Sequence, residues 1–360
     1  MKTPAMFMPV LRLMTSLAMS DCPYRLTSCV WEITLACCFS CKYCGSKAGK
    51  ARPDELSTDE CLDVCRQLKS LGCRRVNLIG GEVFMRRDWK TIVERLTGDG
   101  IRVTIITNGF LFTDAIIRDL KDVNIESVAV SLDGIEPVHD NYRQQGSYAR
   151  AIKAIETLTS AGIITTVITT LNAENVMTLE PFYQILRQYP IAAWQLQACS
   201  PMGNAAVMGI DYRFDPHTVI DFVVRHREES AFAIGIADNI GYFTADEPLI
   251  RGDRRGQRVF PGCGAGLSVI GIDSVGNVKG CESMYDERFN EGNLRSTTLR
   301  EIWESSDAFA YNRRFTPSML TGKCASCEMG AYCAGGCRSY NYFTHQKLYE
   351  YPNCAKNTGR

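Results

Sequence analysis

From Val30 onward the chain alternates short β-rich runs with amphipathic helical patterns, and this alternation limits its fold more than any other feature. The runs lie at 30–34, 75–79, 102–107, 127–132, 164–170 and 193–198. They are rich in Val, Ile and Thr, which suit a pleated sheet. The clearest helix between them is 57–71: Ser57 stands as N-cap, Glu60 follows at the capping-box spacing, and Gly72 ends it. Strands separated by helices need crossover connections, so they pair in parallel with the helices outside. Six such units predict an α/β fold, a partial (β/α)6 TIM-like barrel, because a full barrel takes eight. Sites in such folds gather at the C-terminal ends of the strands.

The first run leads into Leu35-Ala-Cys-Cys-Phe-Ser-Cys-Lys-Tyr-Cys-Gly, which sets Cys37, Cys41 and Cys44 at C-x3-C-x2-C. Three thiolates hold three irons of a 4Fe-4S cluster and leave the fourth open to a small molecule. A zinc loop is the other use of such residues. The motif, with aromatic Tyr43 before the third cysteine, resembles the cluster loop of the radical S-adenosylmethionine (SAM) enzymes. That resemblance implies that SAM chelates the open iron and is cleaved there to methionine and a 5′-deoxyadenosyl radical.

Further strand ends resemble the same family. Gly80-Gly81-Glu82 looks like its GGE motif, where backbone and carboxylate hold the SAM ammonium, although Val83 stands where proline is usual. Asn108 ends the third run and Ser131 the fourth; the Ser131 hydroxyl suits a ribose contact, and Asn108-Gly109 is equally an ordinary turn. His139, within Val138-His-Asp-Asn-Tyr-Arg143, is expected to order its loop. Gln197 leads into Cys199-Ser-Pro201-Met-Gly203, a loop expected to border SAM and substrate. There Cys199 is the candidate catalytic side chain, as hydrogen-atom donor or iron ligand.

Cysteines return at the C-terminus: Cys263-x12-Gly276-x4-Cys281, then Cys324-x2-Cys327-x5-Cys333-x3-Cys337, then Cys354. Runs at 268–272 and 277–280 flank Gly276 and predict a hairpin whose turn needs positive φ. The seven cysteines resemble the SPASM extension of the same family. The resemblance implies one auxiliary cluster on Cys324, Cys327, Cys333 and Cys354, and another on Cys263, Cys281 and Cys337 with an open or non-cysteine place. Two structural zinc sites are the competing use of these spacings. With the first loop, the cofactors expected are three 4Fe-4S clusters and SAM. Of the cysteines left over, Cys61 and Cys65 share a helix face and are expected in the core.

A chain of 360 residues, 45% hydrophobic, has room for two domains. The divisions expected are an N-terminal segment (1–29), the barrel (30–200), a bridge (201–262) and a Cys-rich auxiliary Fe-S cluster domain (263–360). Residues 1–20 read as a short helix packed on the body, and 251–258 as a solvated loop. The 40 basic and 40 acidic side chains give no pull toward nucleic acid or anionic membrane. No run is long enough to span a bilayer. With 17 cysteines, ten of them at metal-ligand spacings, a reducing, cytoplasmic setting is expected.

The sequence around the first loop looks most like the maturases of peptide-derived cofactors such as mycofactocin and pyrroloquinoline quinone. This implies hydrogen abstraction from a residue of a ribosomally made peptide or small protein, leading to cross-linking, oxidative decarboxylation or epimerisation. The implied partners are an electron donor such as flavodoxin or ferredoxin and, since 36 residues precede Cys37, a separate leader-binding protein or the fold's own surface. The alternative is oxidation of a small molecule or protein side chain, as in aminocyclitol-oxidising and sulfatase-maturing members. A non-catalytic electron carrier is the third reading, and Gly80-Gly81-Glu82 argues against it.

Overall fold

A computed structural model describes residues 22–251 and 260–357. The expected helix at 1–20 and the loop at 252–258 lie outside the described residues. The expected strands form at β1 (Ser28–Glu32), β2 (Arg75–Ile79), β3 (Arg102–Thr107), β4 (Ser127–Ser131), β5 (Thr165–Leu171) and β6 (Ala193–Ala198). The boundaries of β1, β4 and β5 differ from the expected ones by one or two residues. Helices α1 (Thr58–Ser70), α2 (Trp89–Gly98), α3 (Asp114–Asp122), α4 (Glu136–Tyr142), α5 (Ser147–Ser160) and α6 (Leu179–Leu186) lie between them.

In α1 the capping box is formed in both directions, Ser57 N donating to Glu60 Oε2 at 2.7 Å and Glu60 N to Ser57 Oγ at 3.3 Å. Its inner face buries Cys61, Val64, Cys65 and Leu68. Strand side chains divide by parity, as a pleat requires. Val76, Leu78, Val103, Ile105, Val167 and Leu196 point to the helices and have no exposed surface. The alternate positions, among them Asn77, Thr104, Ala129, Thr166 and Gln195, line an open interior. A closed eight-stranded barrel fills this space with large branched side chains.

The sheet holds more than six strands. Within the bridge a further strand forms, β7 (Ala233–Ile236), parallel to β6. The expected hairpin forms as β8 (Val269–Ile272) and β9 (Asn277–Lys279), with Gly276 at φ +88°. Strand β8 pairs in parallel with β1, and β10 (Gly292–Asn293) adds to β9. The order is therefore β10-β9-β8-β1-β2-β3-β4-β5-β6-β7, and the Cys-rich segment extends the barrel sheet directly. Among the described residues no helix is long and apolar enough to cross a membrane.

Candidate active site

The cysteine loop is a closed excursion from the end of β1. Ala36 pairs with Gly49 at its base, where Cys37 N donates to Gly49 O at 2.9 Å and Gly49 N to Leu35 O at 3.1 Å. The Glu55 carboxylate fastens the same base, accepting from Leu35 N at 2.6 Å and the Thr34 hydroxyl at 2.9 Å. Within the loop, burial pushes the Cys41 thiol up to about 11, Arg143 opposes the shift, and Cys44 adds to it. Main-chain N–H groups reach two of the sulfurs, Phe39 N to Cys37 Sγ at 3.4 Å and Ala48 N to Cys44 Sγ at 3.3 Å. Such donors favour the thiolates that a cluster needs. Cys38 stands against Cys37, and the hydrogen bond between them holds Cys37 up and Cys38 down, to about 6. The Asn108 amide donates to Cys38 Sγ at 3.4 Å.

The Gly80-Gly81-Glu82 segment runs beside the base of that loop. Gly81 N donates to Thr34 O at 2.8 Å and Glu82 N to Ala36 O at 2.7 Å. A Cβ on Gly80 would stand 2.5 Å from Thr34 O, and one on Gly81 2.2 Å from Ala36 O, so the close backbone approach requires both glycines. Glu82 is 1% exposed. Its carboxylate accepts from the Thr107 hydroxyl and Asn108 N, both at 2.8 Å, and from Phe84 N at 3.3 Å. Burial raises its pKa to about 7.

These strand ends open on a cavity of about 1030 Å³. Its walls include Cys37, Cys41, Cys44, Gly80, Gly81 and Asn108, and also Ser131 and Gln197, but not Glu82. Gln197 donates to the Thr170 hydroxyl at 3.1 Å. Cys281 and Cys337 line the same space. Cys199 borders it from an apolar nest with Tyr43, Tyr142 and Ala205, and burial pushes its thiol up to about 12.

The C-terminal cysteines fall into two groups. Cys263 and Cys281 both raise the Cys337 thiol, on top of its burial. Burial, then Cys324 and Cys333, push Cys354 up to about 11, and Cys324 and Cys327 act likewise on Cys333. Cys41 thus stands near Cys37 and Cys44, Cys337 near Cys263 and Cys281, and Cys354 near Cys324 and Cys333. Among the described residues no three His, Cys, Asp or Glu side chains converge on one point as a single ion requires. The donors in each group are thiols alone, a set that suits an iron–sulfur cluster as well as structural zinc.

A buried ionic knot beside the first loop went unread in the sequence. The Asp133 carboxylate, with no exposed surface, accepts from the Tyr43 hydroxyl and the Arg143 guanidinium, and from Thr170 N at 2.7 Å. Burial pushes its pKa up, but Arg143 and its other partners outweigh that and hold it below the usual carboxylate range. His139 Nδ1 accepts from Asp133 N at 3.1 Å, and Asp140 caps the start of α5 through Gly146 N at 2.6 Å and Tyr148 N at 2.8 Å. The i, i+4 spacing of His139 and Arg143 on one helix face was the available signal.

Residues 31–186 match the radical SAM superfamily, and residues 263–328 match SPASM, an iron–sulfur cluster-binding domain. The chain is 31% identical over 334 residues to the mycofactocin maturase MftC of Mycolicibacterium smegmatis, covering 90% of this chain and 80% of that one. The chain belongs to the radical SAM superfamily, in its SPASM-bearing branch. An AdoMet-dependent heme synthase of Methanosarcina barkeri is 28% identical over 356 residues, covering 96% of this chain and 99% of that one. Streptococcus suis SuiB bound to S-adenosylmethionine shares the fold with a TM-score of 0.72 at 16% identity, over 91% of this chain and 76% of SuiB. The enzyme anSMEcpe, solved with AdoMet and a peptide, superposes with a TM-score of 0.69 at 15% identity, over 92% and 94%. This radical SAM enzyme therefore uses iron–sulfur chemistry and SAM, and its thiol-only groups fit that cofactor.

Proposed function

We propose that this radical SAM enzyme is a peptide maturase that opens a C–H bond in a residue of a ribosomally made peptide. Cys37, Cys41 and Cys44 would hold one 4Fe-4S cluster, Cys263, Cys281 and Cys337 a second, and Cys324, Cys327, Cys333 and Cys354 a third. Held by Cys37, Cys41 and Cys44 and reduced by a donor such as flavodoxin or ferredoxin, the first cluster would supply, together with SAM, the radical chemistry for hydrogen abstraction. Gly80 and Gly81 offer main chain to the SAM ammonium, while Asn108, Ser131 and Gln197 offer amide and hydroxyl groups to its sugar and base. Arg143, pinned by Asp133, offers a cation to a carboxylate. Cys199 is a protonated thiol at neutral pH and can return a hydrogen atom.

The shared cavity carries this reading. Thiols of the first and second groups open on one space of about 1030 Å³, at the top of the usual range for a single ligand pocket of about 300–1,000 Å³. That leaves room for a substrate residue beside SAM. Identity to a mycofactocin maturase over most of its length points to a peptide. Anaerobic reconstitution should give about twelve irons per chain. Joint Cys37→Ala, Cys41→Ala and Cys44→Ala should remove about four of them and all SAM cleavage. Zinc in place of iron at the C-terminal cysteines would overturn the cluster assignment.

A second reading, oxidation of a small molecule, is favoured by the near-complete coverage of the heme synthase. The two separate in one assay: turnover of SAM stimulated by a precursor peptide encoded beside this gene supports the first, and stimulation by an iron porphyrin the second.

A further inference from the structure

We infer that Asn204 is a positioning residue for the SAM-binding cluster, holding the Cys41–Cys44 turn from the loop that follows β6. This rests on the assignment of that turn to the cluster. The turn is closed internally by Cys44 N donating to Cys41 O at 3.2 Å. One residue, 163 positions from Cys41, spans both ends of it. The Asn204 side-chain amide donates to Cys41 O at 2.9 Å, and its main-chain N–H donates to Cys44 O at 2.8 Å.

Asn204 reaches that place because the residue before it comes unusually close. Gly203 has φ +57° and ψ −126°, and a Cβ there would stand 2.3 Å from both Cys44 O and Gly45 O. Only glycine admits this contact. A Cβ on Gly45 would in turn stand 2.7 Å from Met202 Cε, so the approach is close from both sides. The opposite side of the turn is tied as well, Lys42 N donating to Tyr142 O at 2.8 Å and Lys42 Nζ to Asn141 Oδ1 at 2.7 Å. Both carbonyls of the turn are thereby held toward neighbouring N–H groups, and the spacing of two thiols is set by a loop outside the motif. Met202, Ser200 and Cys199 of that loop line the cavity, so the segment that borders the substrate space is the one that holds the cysteine turn.

The test uses the full-length reconstituted enzyme with SAM alone. Asn204→Ala removes the side-chain bond and keeps the main-chain one; Asn204→Asp keeps the shape but faces the Cys41 carbonyl with an acceptor. In both, total iron after reconstitution should match the parent. The SAM-sensitive component of the reduced electron paramagnetic resonance spectrum should broaden, and its iron should pass to a chelator about fivefold faster, the factor given by one net hydrogen bond of about 1 kcal/mol. The auxiliary signals should be unchanged. Parent-like spectra and chelation rates in both variants would overturn the role of Asn204. Absence of any SAM-sensitive component in the parent would instead overturn the assignment of Cys37, Cys41 and Cys44 on which it rests.

Discussion

Glu82 joins the ends of β2 and β3 through Thr107 and Asn108, and Asn108 in turn reaches the Cys37–Cys38 pair. The motif suggests a carboxylate facing SAM, and in the structure the same carboxylate is buried and accepts hydrogen bonds that tie Gly80 and Gly81 to Asn108 beside the cavity. Glu82→Gln leaves one main-chain donor facing an amide group and should cost about 1–3 kcal/mol of stability. SAM affinity should fall with it. Paired melting and binding curves check this, and weaker binding at an unchanged Tm would place the carboxylate on the ligand. The pH dependence has a definite sign. The folded carboxyl titrates at about 7 against 4.5 in the unfolded chain, so between those values the folded state holds a proton that the unfolded chain has released. Stability contributed by this group is therefore full below pH 4.5 and is lost as pH rises through 7. Glu82→Gln should lack that limb in a titration of Tm. Residue types and spacing were legible here because they are properties of neighbours in the chain. The direction of a side chain was not, because it depends on donors from another strand.

Six strands and α1 were readable from period and caps, since each is decided within about a dozen residues. The places of β7 and β8 were not. Four-residue apolar runs look alike, and only a partner strand fixes where they join. Gly271, in β8, shows what the junction demands: a Cβ there would stand 2.4 Å from Glu282 N and 2.8 Å from the Cys281 carbonyl carbon. Gly271→Val should displace the Cys281 segment, with a loss of about four irons while SAM cleavage without substrate persists. Iron analysis and the yield of 5′-deoxyadenosine check it, and full iron content would show that the hairpin tolerates the shift.

At the scale of the whole molecule, the Cys-rich segment completes the barrel sheet as well as carrying its own thiols. Removing residues 263–360 would strip β8 from β1 and leave a central parallel strand as an open edge. The remaining fragment should be insoluble or aggregated when expressed, as size-exclusion chromatography would show; a monodisperse, folded fragment would make the barrel independent of its extension. The thiol spacings, the capping box at Ser57 and the hairpin turn at Gly276 were determined by the sequence itself, because each is closed by residues a few positions apart. The Asp133–Arg143–Tyr43 knot, the hold of Asn204 on Cys41 and the opening of Cys281 and Cys337 on the same cavity as the first loop were decided only in the tertiary structure. These contacts join residues from 10 to 163 positions apart in the hydrogen-bonded cases. Such partners leave no local pattern, since what selects them is the satisfaction of buried polar groups after the sheet has brought them together.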